Sequence, residues 1–224
     1  MTFQRARSEE QREIRRQAIL DTAMAMLDEM PVSEVSLNEL SRRVGLAKSN
    51  VLRYFESREA VLLELLAGAL QAWLAELSVE LAGGVDPRLS ARERGDQLAA
   101  VLSRSLARQT VLCDLANAQA GVLEHNVSVD VVVHHKRAAI AALGTAAEMI
   151  SHHVPELGDD AKTVCRMTLV LAAALSAYCR PSASALAAYK VDPALAQLQL
   201  DLSADVESAV ALLIAGALTR SGVQ

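Results

Sequence analysis

The densest grouping of side chains able to do chemistry lies between Val35 and Leu66, in the string VSLNELSRRVGLAKSNVLRYFESREAVLLELL. Within it Lys48, Ser49, Asn50, Arg53 and Tyr54 fall on the outward side of a short helix whose inward positions are Val51 and Phe55. Ammonium, guanidinium, amide and hydroxyl groups so placed are partners for phosphate oxygens and base edges. A preceding short amphipathic helix carries Leu37, Leu40 and Val44 inward and is broken by Gly45. Two short helices joined by a tight turn form a helix-turn-helix. Glycine suits that turn because it adopts left-handed backbone conformations cheaply. Leu40, Val44, Leu46 and Val51 would clamp the pair together, leaving the second helix to enter a major groove with its N-terminal residues on the base edges.

Other chemistry is hard to assemble. His125, His134-His135 and His152-His153 include two adjacent pairs. Neighbours on a helix point about 100° apart, so each pair offers one ligand to a given face. Cys113, Cys165 and Cys179 have no zinc spacing and read as reduced thiols of a cytoplasmic protein. The chain has no Gly-rich phosphate loop and no nucleophile elbow. No catalytic residue, metal ligand or cofactor is therefore expected. The competing reading is a helical small-molecule-binding protein or enzyme with a degenerate DNA-binding head.

The elements that must position the cluster are helices. Of 224 residues, 52% are apolar but only 3% aromatic, so the apolar content is Ala, Leu and Val, with few Gly and Pro. The fold class expected is all-α, with about nine helices, three small ones followed by longer ones. The net charge of −5 excludes a basic DNA-coating protein. Residues 1–60 hold 10 basic and 10 acidic side chains, and residues 61–224 hold 12 and 17. Nucleic-acid affinity must then come from a local patch near the N-terminus, beside an acidic body. The N-terminal residues lack the apolar core of a signal peptide. The longest apolar runs, around 169–179 and 209–218, are shorter than the ~20 residues a membrane helix needs. They read as buried helices, with no membrane partner.

Helix starts are legible as capping boxes at Ser8–Gln11, Ser36–Glu39 and Ser90–Glu93, and as simple caps at Ser57, Ser128 and Ser203. The first helix is expected over about 9–29, with Ile14, Ala18, Leu20, Ala23 and Leu27 buried, and Pro31 stops it. Short helices follow at about 37–44 and 47–55, and a long one runs from Ser57 to Gly83-Gly84. Further helices are expected at about 91–107, 111–124, 129–153, 160–179 and 204–219, with 181–202 the least regular stretch. Two domains result: a three-helix head over 1–57 and a larger helical domain over 58–224.

The stretch from Ser36 to Leu62 resembles the DNA-binding domain of the TetR family of bacterial transcriptional regulators. The family signature has a cap and Leu-x-x-(Leu/Ile)-Ala, then Gly-Val-Ser-Lys-Gly-Thr-Leu-Tyr-x-Tyr-Phe, then Ser-Lys-Glu-x-Leu. The counterparts are Ser36-Leu37-Asn38-Glu39-Leu40, Gly45 through Phe55, and Ser57-Arg58-Glu59-Ala60-Val61-Leu62. Ala47 replaces a frequent Ser or Thr, Leu52 replaces an aromatic residue that often touches the DNA backbone, and Glu56 is acidic where Lys is common.

The resemblance implies a ligand-responsive regulator, a repressor that binds a palindromic operator in double-stranded DNA as a homodimer and is released by a small hydrophobic effector. Lys48 would meet a phosphate or guanine, Asn50 an adenine, and Ser49 either; Asn38 would reach a base. Ser36 and Arg58, at helix starts, would hold phosphate, as would Arg53 and the hydroxyl of Tyr54. Arg5 and Arg7 would form a basic arm. The larger domain would bind the effector among Trp73, Cys113, Asn117, Gln119, Met149, Met167 and Tyr178, an apolar, Met-containing set in which a buried amide needs a partner. Helices 160–179 and 204–219 are rich in Ala and Leu and nearly uncharged along much of their length. Two from each subunit would make a four-helix dimer interface, or the same faces would be buried within one subunit.

Overall fold

The computed structural model describes residues 2–222, with side chains from Glu9 onward. The proposed arm residues Arg5 and Arg7 lie outside the described side chains. Among the described residues there is no strand, and ten α-helices account for most of the chain. They pack as two compact units, one made of the residues up to Gly68 with Ala118–His135, the other of Ala69–Asn117 with Lys136 onward. The expected division after residue 57 follows the helix-turn-helix alone. The first unit adds the first half of the fourth helix and a segment from the middle of the chain.

In the first unit, α1 spans Thr2–Glu29, so Ser8 lies inside the helix instead of capping it. Ile19, Ala23 and Met26, spaced i, i+4, i+7, form its buried stripe, whereas Ile14 (62% exposed) and Ala18 face outward. The predicted stripe is out of phase at its N-terminal end, where the half-buried Arg16, and not Ile14, faces the rest of the unit. Pro31 then takes an extended backbone and α1 cannot continue. α2 covers Leu37–Val44, α3 Lys48–Val51 and α4 Arg58–Gly84. Ser57 Oγ accepts from the Ala60 N–H at 3.1 Å and caps α4 as expected. Val32, Val35, Leu40, Val51, Phe55, Leu62 and Leu66 are buried in this unit.

In the second unit, α5 (Ala91–Ala107) opens on a full capping box: Ser90 Oγ accepts from the Glu93 N–H, and the Glu93 carboxylate from the Ser90 N–H. α6 spans Thr110–Ala118, and the helix predicted to 124 continues as a π turn over Gln119–Leu123, which belongs to the first unit. α7 (Val129–His153), whose residues up to His135 belong to the first unit, and α8 (Asp160–Tyr178) match expectation closely. The irregular stretch contains one more helix, α9 (Ala183–Val191), and a 3-10 turn, Pro193–Leu198, none of whose residues is buried. α10 (Leu202–Arg220) is capped by Asp201, which accepts from the Ala204 N–H at 2.8 Å, and not by Ser203.

α5 and α10 form the centre of this unit, with α8 packed on both. Leu98, Leu102 and Leu106 of α5 are buried, as is a stripe of Val206, Val210, Ile214 and Leu218 on α10, and the two helices pack on each other. The helices approach so closely at Gly95 that a Cβ there would lie 2.7 Å from Cγ2 of Ile214. Arg94 donates to the His153 carbonyl at 2.6 Å and to Glu156 at 2.5 Å, placing a cation at the C-terminal end of α7. By length and composition α4 and α10 are apolar enough to cross a membrane, contrary to the expectation from unbroken apolar runs. Leu62, Leu66, Leu77 and Leu81 of α4 and the α10 stripe are buried in protein.

Candidate nucleic-acid interface

The helix-turn-helix forms as its sequence requires. Ser36 Oγ accepts from the Glu39 N–H at 3.2 Å and caps α2. The reciprocal half of the expected capping box is absent because the Glu39 carboxylate is turned to Arg42 (2.6 and 2.9 Å) and Arg43 (2.9 Å). Hydrogen bonds from Arg42 and then Arg43 hold the Glu39 carboxyl down to about 2. Gly45 ends α2 in the left-handed region at φ 74°, ψ 27°. Its N–H returns to the carbonyls of Arg42 and Ser41. The chain reverses there and α3 begins three residues later.

The recognition segment predicted over 47–55 is α-helical only across Lys48–Val51. Beyond it the turns tighten, with Arg53 N–H to Asn50 O at 3.2 Å and Tyr54 N–H to Val51 O at 2.9 Å. Val51 and Phe55 are buried, while Lys48, Ser49, Asn50 and Arg53 are exposed and Tyr54 is half-buried. Ser36 and Asn38 are also exposed. Ala47 supplies no side-chain cap to α3, and Leu52 is 42% exposed. The exposed residues thus offer one ammonium, one guanidinium, two amides and hydroxyls, with an apolar side chain where the family has an aromatic one.

Two residues behave differently from expectation. Arg58 turns inward: it donates to the Val32 carbonyl and lies 3.3 Å from Glu59. Its guanidinium holds the loop after α1 onto the start of α4 and does not reach out to phosphate. Glu56, the acidic departure, accepts from the N–H of Ser128. Ser128 in turn caps α7, its Oγ accepting from the Val131 N–H at 3.4 Å. A carboxylate at Glu56 therefore satisfies a backbone donor at the entry to α7, which Lys could not do.

Sequence reasoning missed Arg12 and Arg15. They stand three residues apart on α1 and, with Gln11, Arg53 and Tyr54, line an open basin of about 500 Å³. The i, i+3 spacing is the signal, obscured by turning Ile14 inward. Arg16, next along, is committed to packing: it pairs with Glu64 and lies over the Phe55 ring at 4.9 Å.

The seven effector candidates divide between the units. Trp73 is buried and its Nε1 donates to Ser105 Oγ at 3.0 Å. Cys113 and Cys165 are buried, and burial pushes their thiols up to about 11 and about 12. Met149 and Met167 are half-buried. Asn117 and Tyr178 are exposed, so Asn117 is not the buried amide expected. Gln119 sits in the π turn of the first unit and donates to Glu124 at 2.6 Å.

Comparison with known proteins adds to this geometry. The family of bacterial regulatory proteins described as tetR matches residues 19–65, and the tetracyclin repressor-like C-terminal domain matches 67–221. No curated protein matches the chain. Among solved structures, a TetR transcriptional regulator from Rhodococcus sp. RHA1 is 15% identical with a TM-score of 0.56, covering 94% of this chain and 97% of its own. The fatty acid degradation regulator FadR from Bacillus halodurans is 15% identical at a TM-score of 0.52, with 89% and 98% covered. FadR from Bacillus subtilis, solved in complex with stearoyl-CoA, is 13% identical at 0.52, again with 89% and 98% covered.

Proposed function

This chain belongs to the TetR family of bacterial transcriptional regulators, and from that premise we propose that it is a repressor acting as a homodimer on a palindromic operator. Residues 1–57 carry the DNA contacts and 58–224 the effector and dimer functions. The observation that carries this reading is the exposed Lys48-Ser49-Asn50 turn, held by the Gly45 reversal onto a buried Leu40–Val51 core. Lys48 binds phosphate or guanine, Arg53 and Tyr54 bind phosphate, Asn50 and Asn38 read bases, and Ser36 and Ser49 add hydroxyls. Ligand binding releases the operator only if the effector favours the non-binding state.

A hydrophobic effector is supported by Trp73, Met149 and Met167 and by the acyl-CoA complex of one structural neighbour. Dimerisation through α8 and α10 is supported by Val170, Tyr178, Leu212 and Leu213, which are exposed in the single chain. The protein so described binds without catalysing, needs no metal or cofactor, and works in the cytoplasm.

The test is selection of duplexes from a random library, followed by salt titration of the enriched sequence. A palindromic product with two bound subunits and a steep salt slope is expected. Lys48→Ala should weaken binding and flatten the slope by about 1 per lost phosphate contact. Asn50→Ala should lose discrimination of about 1–3 kcal/mol at one base pair. No enrichment over non-specific binding would overturn the proposal and favour a small-molecule-binding protein with a degenerate head.

A further inference from the structure

The basic side chains of the first unit sort into two groups. Arg16, Arg42, Arg43 and Arg58 are engaged: with Glu64 and the Phe55 ring, with Glu39, with Glu39 and Glu29, and with Val32 and Glu59. Arg12, Arg15, Lys48 and Arg53 are exposed, and none of these four has an ion pair among the described residues. Three of the four converge. Arg12, Arg15 and Arg53 line one basin with Gln11 and Tyr54, and no acidic residue lines it.

Three guanidinium groups around one open basin repel one another weakly in water, and an anion seated among them would turn that repulsion into attraction. The exposed Arg pair lies on the turn of α1 that buries nothing, so packing does not explain it. The amide of Gln11 and the hydroxyl of Tyr54 add neutral donors, the mixture that binds phosphodiester oxygens. The basin is shared between α1 and the end of the recognition segment. An anion there would be part of the polymer whose bases meet Lys48–Asn50.

We propose that Arg12, Arg15 and Arg53, with Gln11 and Tyr54, form a seat for the DNA phosphate backbone that acts independently of base sequence. This rests on the DNA-binding reading above. It assigns α1 a direct part in binding, and it supplies backbone contacts in place of those lost at Ala47 and Leu52. The segment Lys48–Asn50 then specifies the site, and the basin sets how firmly the head is held on any duplex.

The full chain is titrated with salt against a mixed-sequence 30-base-pair duplex, a probe that needs no knowledge of the operator. Arg12→Gln with Arg15→Gln should bind at least about tenfold more weakly near 0.15 M salt, with a slope shallower by about 1 per contact removed. A charge-matched control, Arg92→Gln with Arg104→Gln on the exposed side of α5, should bind like the parent. An unchanged slope in the Arg12/Arg15 variant overturns the seat while leaving the DNA-binding reading intact. An equal fall in the control also overturns it, because the effect would then be one of net charge. If the parent chain binds no duplex at low salt, the DNA-binding reading falls, and the seat falls with it.

Discussion

Glu39 stands between two guanidinium groups on the surface of α2, with both its oxygens engaged. Its folded carboxyl lies near 2 against an ordinary 4.5, because Arg42 and then Arg43 bond the charged form. A depressed carboxyl contributes stability in full above the unfolded value, and that contribution is lost as pH falls towards the folded value. The group is solvent-facing, so the effect on stability is small, but the titration itself is observable. Carboxyl NMR should place the Glu39 midpoint near 2, and Arg42→Gln with Arg43→Gln should return it towards 4.5. A midpoint near 4.5 in the parent chain would mean that these pairs do not persist in solution. Gly45 makes a second case at this scale. A Cβ there would meet no atom within 4 Å, so the only obstacle to substitution is the positive φ. Gly45→Ala should therefore cost about 1–2 kcal/mol by denaturant melting. It should weaken DNA binding beyond that loss, since the reversal aims α3.

Helices succeed or fail here on what lies against them. α5 and α7 were legible in the sequence because caps and apolar spacing agree, as at Ser90 and Glu93, and α8, which has no side-chain cap, was legible from its apolar run between Gly158 and Pro181. α1 was misphased near Ile14 because the residue turned toward the rest of the unit there is Arg16, which pairs with Glu64 and lies over the Phe55 ring, so no apolar side chain records the rotation of the helix. α9 was missed because none of its residues is buried and periodicity carried no signal. The inward turn of Arg58 and the bond from Ser128 to Glu56 were illegible for another reason. Both join residues distant in sequence, and only the folded chain brings them together. The recognition turn was legible because its whole logic is local, from the Ser36 cap to Phe55. The crossing of α5 and α10 gives the test at this scale. Gly95→Ala gains about 1 kcal/mol of helix propensity. It also forces a methyl against the buried, β-branched Ile214, at about 1–3 kcal/mol for overpacking. The expected outcome is a lower thermal midpoint, and adding Ile214→Val should not restore it, because Val keeps both branches at Cβ. A rise in the midpoint for Gly95→Ala alone would show that the helices part easily.

At the scale of the whole molecule, the apolar side chains left exposed are concentrated after residue 169, including Val170, Tyr178, Leu212 and Leu213. A second copy of the chain is the partner proposed for α8 and α10. Leu212→Glu, at a position 74% exposed in the single chain, should leave the fold intact and convert dimers to monomers in sedimentation. The operator affinity should fall with it, since half-sites at fixed spacing need both heads. An unaltered dimer would move the interface elsewhere. The composition of the first unit carries a separate consequence for protein engineering. Its residues up to Gly68 pack with Ala118–His135, and Glu56 takes the Ser128 amide from that inserted stretch. A chimera that grafts residues 1–57 onto a foreign sensor would leave the Glu56 carboxylate facing a surface never matched to it. The portable cassette is discontinuous in the gene, and a working exchange of specificities must transplant both pieces together.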